Sequence, residues 1–229
     1  MKIARAAVIA LSLVPALFVA ASAQDAQACG SAMRLEPTPA RPTPVQEIAR
    51  AEKALENGST LGAAQAVLGT FPGIRSATAG ANPLETRSLR VLALAIVRSD
   101  GTVDEKKARV ASANGVEWTP ASNLQWAVQS LREVDQARPN DPTVQADLGE
   151  ALSKTASGQA ESLKILQGLA QKDLMGSPHA YAALAKLRTQ SGDSAGAEAA
   201  IKRCEEMSKT PGVCKPAAPP AKPSVAARA

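Results

Sequence analysis

Few residues in this chain are of the types that carry chemistry, and their spacing limits what they can do. His179 is the only histidine. Imidazole is the usual general base and metal ligand at neutral pH, but a single copy cannot build a two-histidine zinc motif, and no Ser-His-Asp or Cys-His set emerges around it. An exposed place in the first turn of a helix, two residues after Ser177, accounts for it. The run Asp100-Gly101-Thr102-Val103-Asp104-Glu105 offers oxygen ligands. Aligned on a calcium loop, however, its first and third ligand places fall on Ile96 and Arg98 and its twelfth on Lys107, which repels calcium. It reads instead as a helix-terminating turn followed by a short exposed helix, Asp104 to Ala113, ended by Asn114-Gly115. The chain has neither a G-x-G-x-x-G run nor a P-loop. Glu150 with Lys154 and Glu198 with Lys202 have the i, i+4 spacing of solvated helix surfaces. The expectation is a protein with no catalytic residues, no metal site and no cofactor, hence not an enzyme.

The three cysteines are the remaining reactive groups, and their chemistry depends on compartment. Lys2 and Arg5 precede an apolar run, Ala6 to Ala20, broken only by Ser12 and Pro15, and the small triplet Ala21-Ser22-Ala23 follows. This is the charged, apolar and cleavable order of a secretory signal peptide, and the run is short for a permanent span. Residues 1–23 are therefore expected to be removed, leaving an exported protein of the periplasm, cell envelope or medium. Cys204 and Cys214 flank a segment containing Pro211 and Gly212 that can turn back on itself. They are expected to form a disulfide worth ~2 to 3 kcal/mol, pinning the tail to the last helix. The alternative for Cys204 is a small, buried free thiol. Cys29 is left over. It is a candidate for lipidation, since cleavage after Ala26-Gln27-Ala28 would make it the N-terminus, although Ala26 and Gln27 depart from the usual preceding residues. A bridge to a C-terminal cysteine and an intermolecular link are the other readings. A membrane enters only through that lipid.

The positions of the helices follow from composition and punctuation. Phe71, Trp118, Trp126 and Tyr181 are the only aromatics after the signal, while alanine and leucine dominate, which favours helices over strands. The pI of about 9.3 suggests a basic protein. Of the formal +5, however, Lys2 and Arg5 carry +2 and Lys209, Lys215, Lys222 and Arg228 carry +4, leaving about −1 for the middle. A nucleic-acid partner loses its support, because the basic residues are not on the domain. Residues 24–43 and 209–229 are rich in Pro, Ala and polar residues and are expected to be flexible. Between them a short polar residue precedes proline at Thr43-Pro44, Asn82-Pro83, Thr119-Pro120, Asp141-Pro142 and Ser177-Pro178. Each reads as a helix start: the polar side chain accepts from a free first-turn amide, and proline needs no partner there. Gln46 and Glu85 stand where a capping box needs them. Apolar residues then recur at helical spacing, as in Ile48, Ala51 and Leu55, in Leu89, Leu92 and Ile96, and in Leu124, Val128, Leu131 and Val134. The apolar run within Arg90–Val97 is compatible with a buried strand, but the Asn82-Pro83 start and the lack of a partner strand favour helix.

The starts at 44 and 83 are 39 residues apart and those at 142 and 178 are 36 apart, near the ~34-residue period of helix-turn-helix repeats. The last unit places Tyr181, Leu184, Ala185, Gly192, Asp193, Ala197, Ile201 and Cys204 in series and closes late, at Pro211. This resembles a tetratricopeptide repeat. Val144–Leu152 is similar to the first helix of a preceding unit, with its turn displaced to Thr155–Gly158 and its second helix at Ala160–Gln171. Leu84–Val97 and the stretch holding Ala127, Leu131, Val134 and Pro139 resemble another, split by an insertion at about 99–119, and residues 44–70 resemble a degenerate first. The resemblance implies an all-α, right-handed α-solenoid of about four hairpins over 44–208, whose concave face binds a peptide or partner protein. The implied contacts are Gln145, Asp147, His179, Tyr181 and Lys186. The expected function is a non-catalytic interaction scaffold or adaptor in the cell envelope, with an envelope structural or anchoring lipoprotein, or an envelope enzyme, as the alternatives.

Overall fold

All five polar-proline pairs start helices in the computed structural model, which describes residues 41–103, 119–210 and 212–215. Thr43 accepts from the Gln46 amide while the Gln46 side chain accepts from the Thr43 amide, completing the capping box of α1, Pro44–Glu56. Asn82 caps α3, Pro83–Arg98, through the amides of Leu84 and Glu85. Glu85 accepts from the Asn82 side-chain amide rather than its backbone, so the second box is not reciprocal in the expected way. Thr119, Asp141 and Ser177 cap α4 (Pro120–Ala137), α5 (Pro142–Leu152) and α7 (Pro178–Gln190). The three remaining helices are α2 (Thr60–Thr70), α6 (Gln159–Gln171) and α8 (Ser194–Met207). Among the described residues there is no strand, and the run within Arg90–Val97 is helical.

Sequential helices pair, α1 with α2, α3 with α4, α5 with α6 and α7 with α8, and each pair also touches the next. The odd-numbered helices meet one another as well, α1 with α3, α3 with α5 and α5 with α7, whereas the even-numbered helices have no comparable contact. The described residues thus form a series of four helical hairpins with the odd helices in one layer. One core runs from Ile48 through α3 to Leu131 and Leu152, and a second joins α6, α7 and α8 around Leu166, Leu184 and Cys204, with Ile165 touching both.

The insertion after α3 begins as predicted, with a turn. Asp100 takes a left-handed backbone (φ 52°), the Asp100 amide donates to the Val97 carbonyl, and the Gly101 amide donates to that of Ile96, the two bonds of a Schellman cap. Gly101, at φ 78°, lies against the Pro120 backbone at the start of α4, and the buried Asn123 side-chain amide donates to its carbonyl at 2.9 Å. The two ends of the insertion are therefore joined. The expected signal peptide, Cys29, the expected helix Asp104 to Ala113 and most of both tails lie outside the described residues.

A methyl group at Gly101 would sit about 2.3 Å from the Pro120 carbonyl oxygen, in a backbone region unfavourable for alanine. Gly101→Ala is expected to lower the unfolding free energy by more than about 1 kcal/mol. Gly168→Ala, inside α6 with open space around it, is expected to raise it by roughly 0.5 to 1 kcal/mol. Urea denaturation of the two variants measures both.

Candidate functional site

The odd-helix layer is built on charge. α3 carries Arg87, Arg90 and Arg98, and its neighbours in the layer carry the acids. Arg87 donates to both carboxylate oxygens of Glu52 on α1. Arg90 Nε donates to Asp147 on α5 at 2.5 Å, and Arg98 donates in a two-pronged pair to Glu150, one turn further along α5, at 3.0 and 3.1 Å. Asp147 and Glu150 have only 3% of their side-chain surface exposed, and Arg98 has 12%. Glu150 is thus not a surface partner of Lys154, as its spacing suggested. Lys154 reaches across to the exposed Asp100 instead.

Two cavities open on this layer. The larger, of about 620 Å³, is bounded by Glu52 and Leu55 of α1, Arg90 and Leu94 of α3, Thr143 and Asp147 of α5, the start of α7, Met207 at the end of α8, and Ser208 to Thr210 beyond it. The smaller, of about 290 Å³, lies between α5, α7 and α8 and includes Arg98, Glu150, His179, Lys186 and Lys215. His179 borders both.

Of the residues expected to contact a partner, Asp147, His179 and Lys186 line these cavities. Gln145 is half-buried and lines neither. Tyr181 is a correction: it is 3% exposed and packs in the second core. An aromatic early in the first helix of a hairpin fills the space against its second helix, so the position is structural. His179 is also not the exposed first-turn residue its spacing implied, because α7 enters the layer at its N-terminus and half-buries the ring. Arg90, Arg98 and Glu150 were missed. The available signal was arginine at both ends of an apolar run and two acids three residues apart.

Cys204 and Cys214 are bonded (S–S 2.08 Å, Cα–Cα 5.7 Å), so Cys204 is buried but not a free thiol. The pairing leaves neither for Cys29. Residues 209–215 were expected to belong to a flexible tail. Those described instead return along the odd-helix layer, where Thr210 Oγ1 donates to the Glu56 carbonyl at 3.3 Å.

Burial raises the Asp147 pKa to about 6 against the opposing pull of Arg90. Burial also lowers that of His179, which the Glu150 carboxylate partly offsets and Arg98 and Lys154 reinforce. Burial thus favours the neutral form of His179, and the two buried carboxylates, Asp147 and Glu150, each face an arginine. No group of three or more His, Cys, Asp or Glu among the described residues could hold a metal ion, and no described helix is long and apolar enough to cross a membrane.

Comparison with protein-family models, curated proteins and solved structures finds no match for the chain. The class that can be stated is that of the fold and face themselves: an all-helical, hairpin-repeat protein with a charged, cavity-bearing layer of odd-numbered helices.

Two predictions follow from the ion pairs. Glu150→Ala strands the buried Arg98 guanidinium and is expected to destabilise the fold by about 3 to 5 kcal/mol, whereas Lys154→Ala, which breaks a pair with the largely exposed Asp100, should cost under about 1 kcal/mol. Chemical denaturation separates them. For pH, the raised pKa of Asp147 means that its contribution is complete below the unfolded value of 3.8 and is lost as pH rises through about 6. His179 acts in the opposite sense, its contribution being lost as pH falls below its unfolded value of 6.5. The difference in stability between the native protein and Asp147→Asn isolates the first group. It is expected to move against the native protein by on the order of 2 kcal/mol from pH 4 to pH 7. A pH-independent difference would show that Arg90 fully offsets the burial.

Proposed function

We propose that the chain is a non-catalytic scaffold or adaptor of the cell envelope, a right-handed solenoid of four tetratricopeptide-like hairpins that binds an extended peptide or helix of another protein across its odd-helix face. The observation that carries the reading is the unequal contact between the two layers: odd helices touch in succession and even helices do not to a comparable extent. A stack whose units approach more closely on one side curves toward that side, so the odd-helix face is the inner one, and it holds the cavity of about 620 Å³.

The chemistry of that face supports binding over catalysis. Its two buried carboxylates, Asp147 and Glu150, each have an arginine, while Thr143, His179 and Lys186 border the cavities without an ion-pair partner among the described residues and are available to a ligand. Export is carried by the charged and apolar N-terminal sequence, and an oxidised Cys204–Cys214 pair is consistent with it.

The test is capture from an envelope extract by the mature chain, compared with His179→Ala/Lys186→Ala and with Lys164→Ala/Lys202→Ala, which alters exposed positions on the even helices α6 and α8. Loss of a captured protein by about tenfold or more in the first variant, with retention in the second, supports the reading. Equal capture by both variants overturns it.

A further inference from the structure

We propose that the described residues that follow α8, 208–210 and 212–215, form a disulfide-latched strap that covers part of the odd-helix groove, and that opening the Cys204–Cys214 bond releases the strap and uncovers it. Met207, Ser208, Lys209, Thr210 and Val213 supply one wall of the larger cavity, and Val213, Cys214 and Lys215 border the smaller. Val213 belongs to both, so the strap lies along the boundary between them, beside His179. It is a segment of the chain resting where the proposed partner would rest, and its consequence for binding depends on that reading of the groove.

The attachments of the strap are uneven. It leaves α8 at Met207 and returns to that helix at Cys214, which is bonded to the fully buried Cys204. Midway, Thr210 reaches α1 through one described hydrogen bond, from its Oγ1 to the Glu56 carbonyl, with its methyl beside Gly58. Between these, Met207, Val213 and Cys214 are only partly buried against the second core. Among the described residues the backbone of the strap joins no helix beyond the Ser208 amide, which caps α8 at the Cys204 carbonyl, and the Lys215 amide turns back to Gly212. No ladder of hydrogen bonds among these residues must therefore break for the strap to leave. The disulfide is the dominant restraint.

The two cysteines also differ in exposure: Cys204 is fully buried and Cys214 only partly so. A dithiol reductant attacks through one thiolate at the Cys214 sulfur. The S–S bond breaks, Cys204 departs as the thiolate and takes a proton, and a mixed disulfide links the reductant to Cys214. The second thiol of the reductant then displaces Cys214. Two electrons and two protons reach the cysteines, and the reductant leaves as its own disulfide.

The test uses the full mature chain, oxidised and after treatment with dithiothreitol, alongside Cys214→Ser. Two readouts need no partner: tryptic cleavage after Lys209, in the strap, and the rate at which diethyl pyrocarbonate modifies His179, the only histidine. Both rates should rise by about tenfold or more on reduction, as expected for a larger open population. They should be high and insensitive to dithiothreitol in Cys214→Ser, while cleavage at Arg90 and Arg98 of α3 stays slow. Unchanged rates at Lys209 and His179 overturn the strap. So does a rise at Lys209, Arg90 and Arg98 together, which would make the bond a restraint on the whole fold. Should Cys214→Ser fail to fold, reduction of the native chain gives the same reading. Strap release is scored without a partner, so its failure is distinct from that of the groove reading, which falls when capture ignores His179 and Lys186 in either redox state.

Discussion

A helix buried on nearly every side has no solvent face on which to carry charge, and α3 is that helix. Ten of its residues from Thr86 to Val97 are buried, and it touches α1, α2, α4 and α5. Its three arginines are placed where it meets the other odd helices, and each ends on a carboxylate supplied by α1 or α5. Two of these pairs are largely withdrawn from water, and such pairs add little net stability because desolvation cancels most of the attraction. Their effect is on register. A slip of α3 by one turn, about 5.4 Å, would break the Arg90–Asp147 and Arg98–Glu150 pairings together. The arrangement of basic α3 between acidic α1 and α5 thus selects a single alignment of the layer, and the layer in turn sets the shape of the cavities.

Small residues at the helix contacts fix how closely the hairpins fold. At Gly149 on α5 an added methyl would meet the Leu166 side chain of α6 at 2.6 Å, and the buried Ser162 hydroxyl of α6 donates to the Gly149 carbonyl at 2.6 Å. A side chain at position 149 would push the two helices apart and break that bond. The few aromatics serve as spacers at specific places. Tyr181 fills the last hairpin, and Trp126 donates its indole N–H to the Arg75 carbonyl while the Arg75 guanidinium lies 4.8 Å from the ring centroid. With so little aromatic bulk, helix ends must be set accurately by caps rather than by large side chains, which explains why the polar-proline starts recur.

Those starts are the part of the fold most legible in sequence, because a cap is a local interaction. Asn82 or Asp141 needs only the amides two and three residues ahead, and proline only its own ring. The pairing of hairpins was legible for the same reason, through turn residues such as Gly192 and Asp193. What was not legible depends on residues far apart in the chain. Glu150 stands four residues before Lys154, and the local rule joins them, but the tertiary fold brings Arg98 from 52 residues away and buries the acid. Tyr181 and His179 sit two residues apart on α7, where the turn of the helix sends one into the core and leaves the other at the cavities. Sequence spacing could place both near a partner face. It could not tell which of them the adjoining α8 would cover.

The strap alters what kind of repeat stack this is. In an open solenoid each hairpin sees only its neighbours, and the terminal units are the first to fray. Here Thr210 meets Glu56 across 154 residues, so the last hairpin is tied to the first along the odd-helix face. That tie couples the two ends most prone to opening and limits how far the groove can widen while it holds. A single short loop closed by Cys204 and Cys214 secures it at one end, and a single hydrogen bond secures it at the other. The covalent end can hold through thermal motion, whereas the α1 end can open and reclose. Release of the covalent end would therefore do more than free the strap: it would return the stack to the nearest-neighbour regime, in which the first hairpin can move relative to the last and the odd-helix face can change its width.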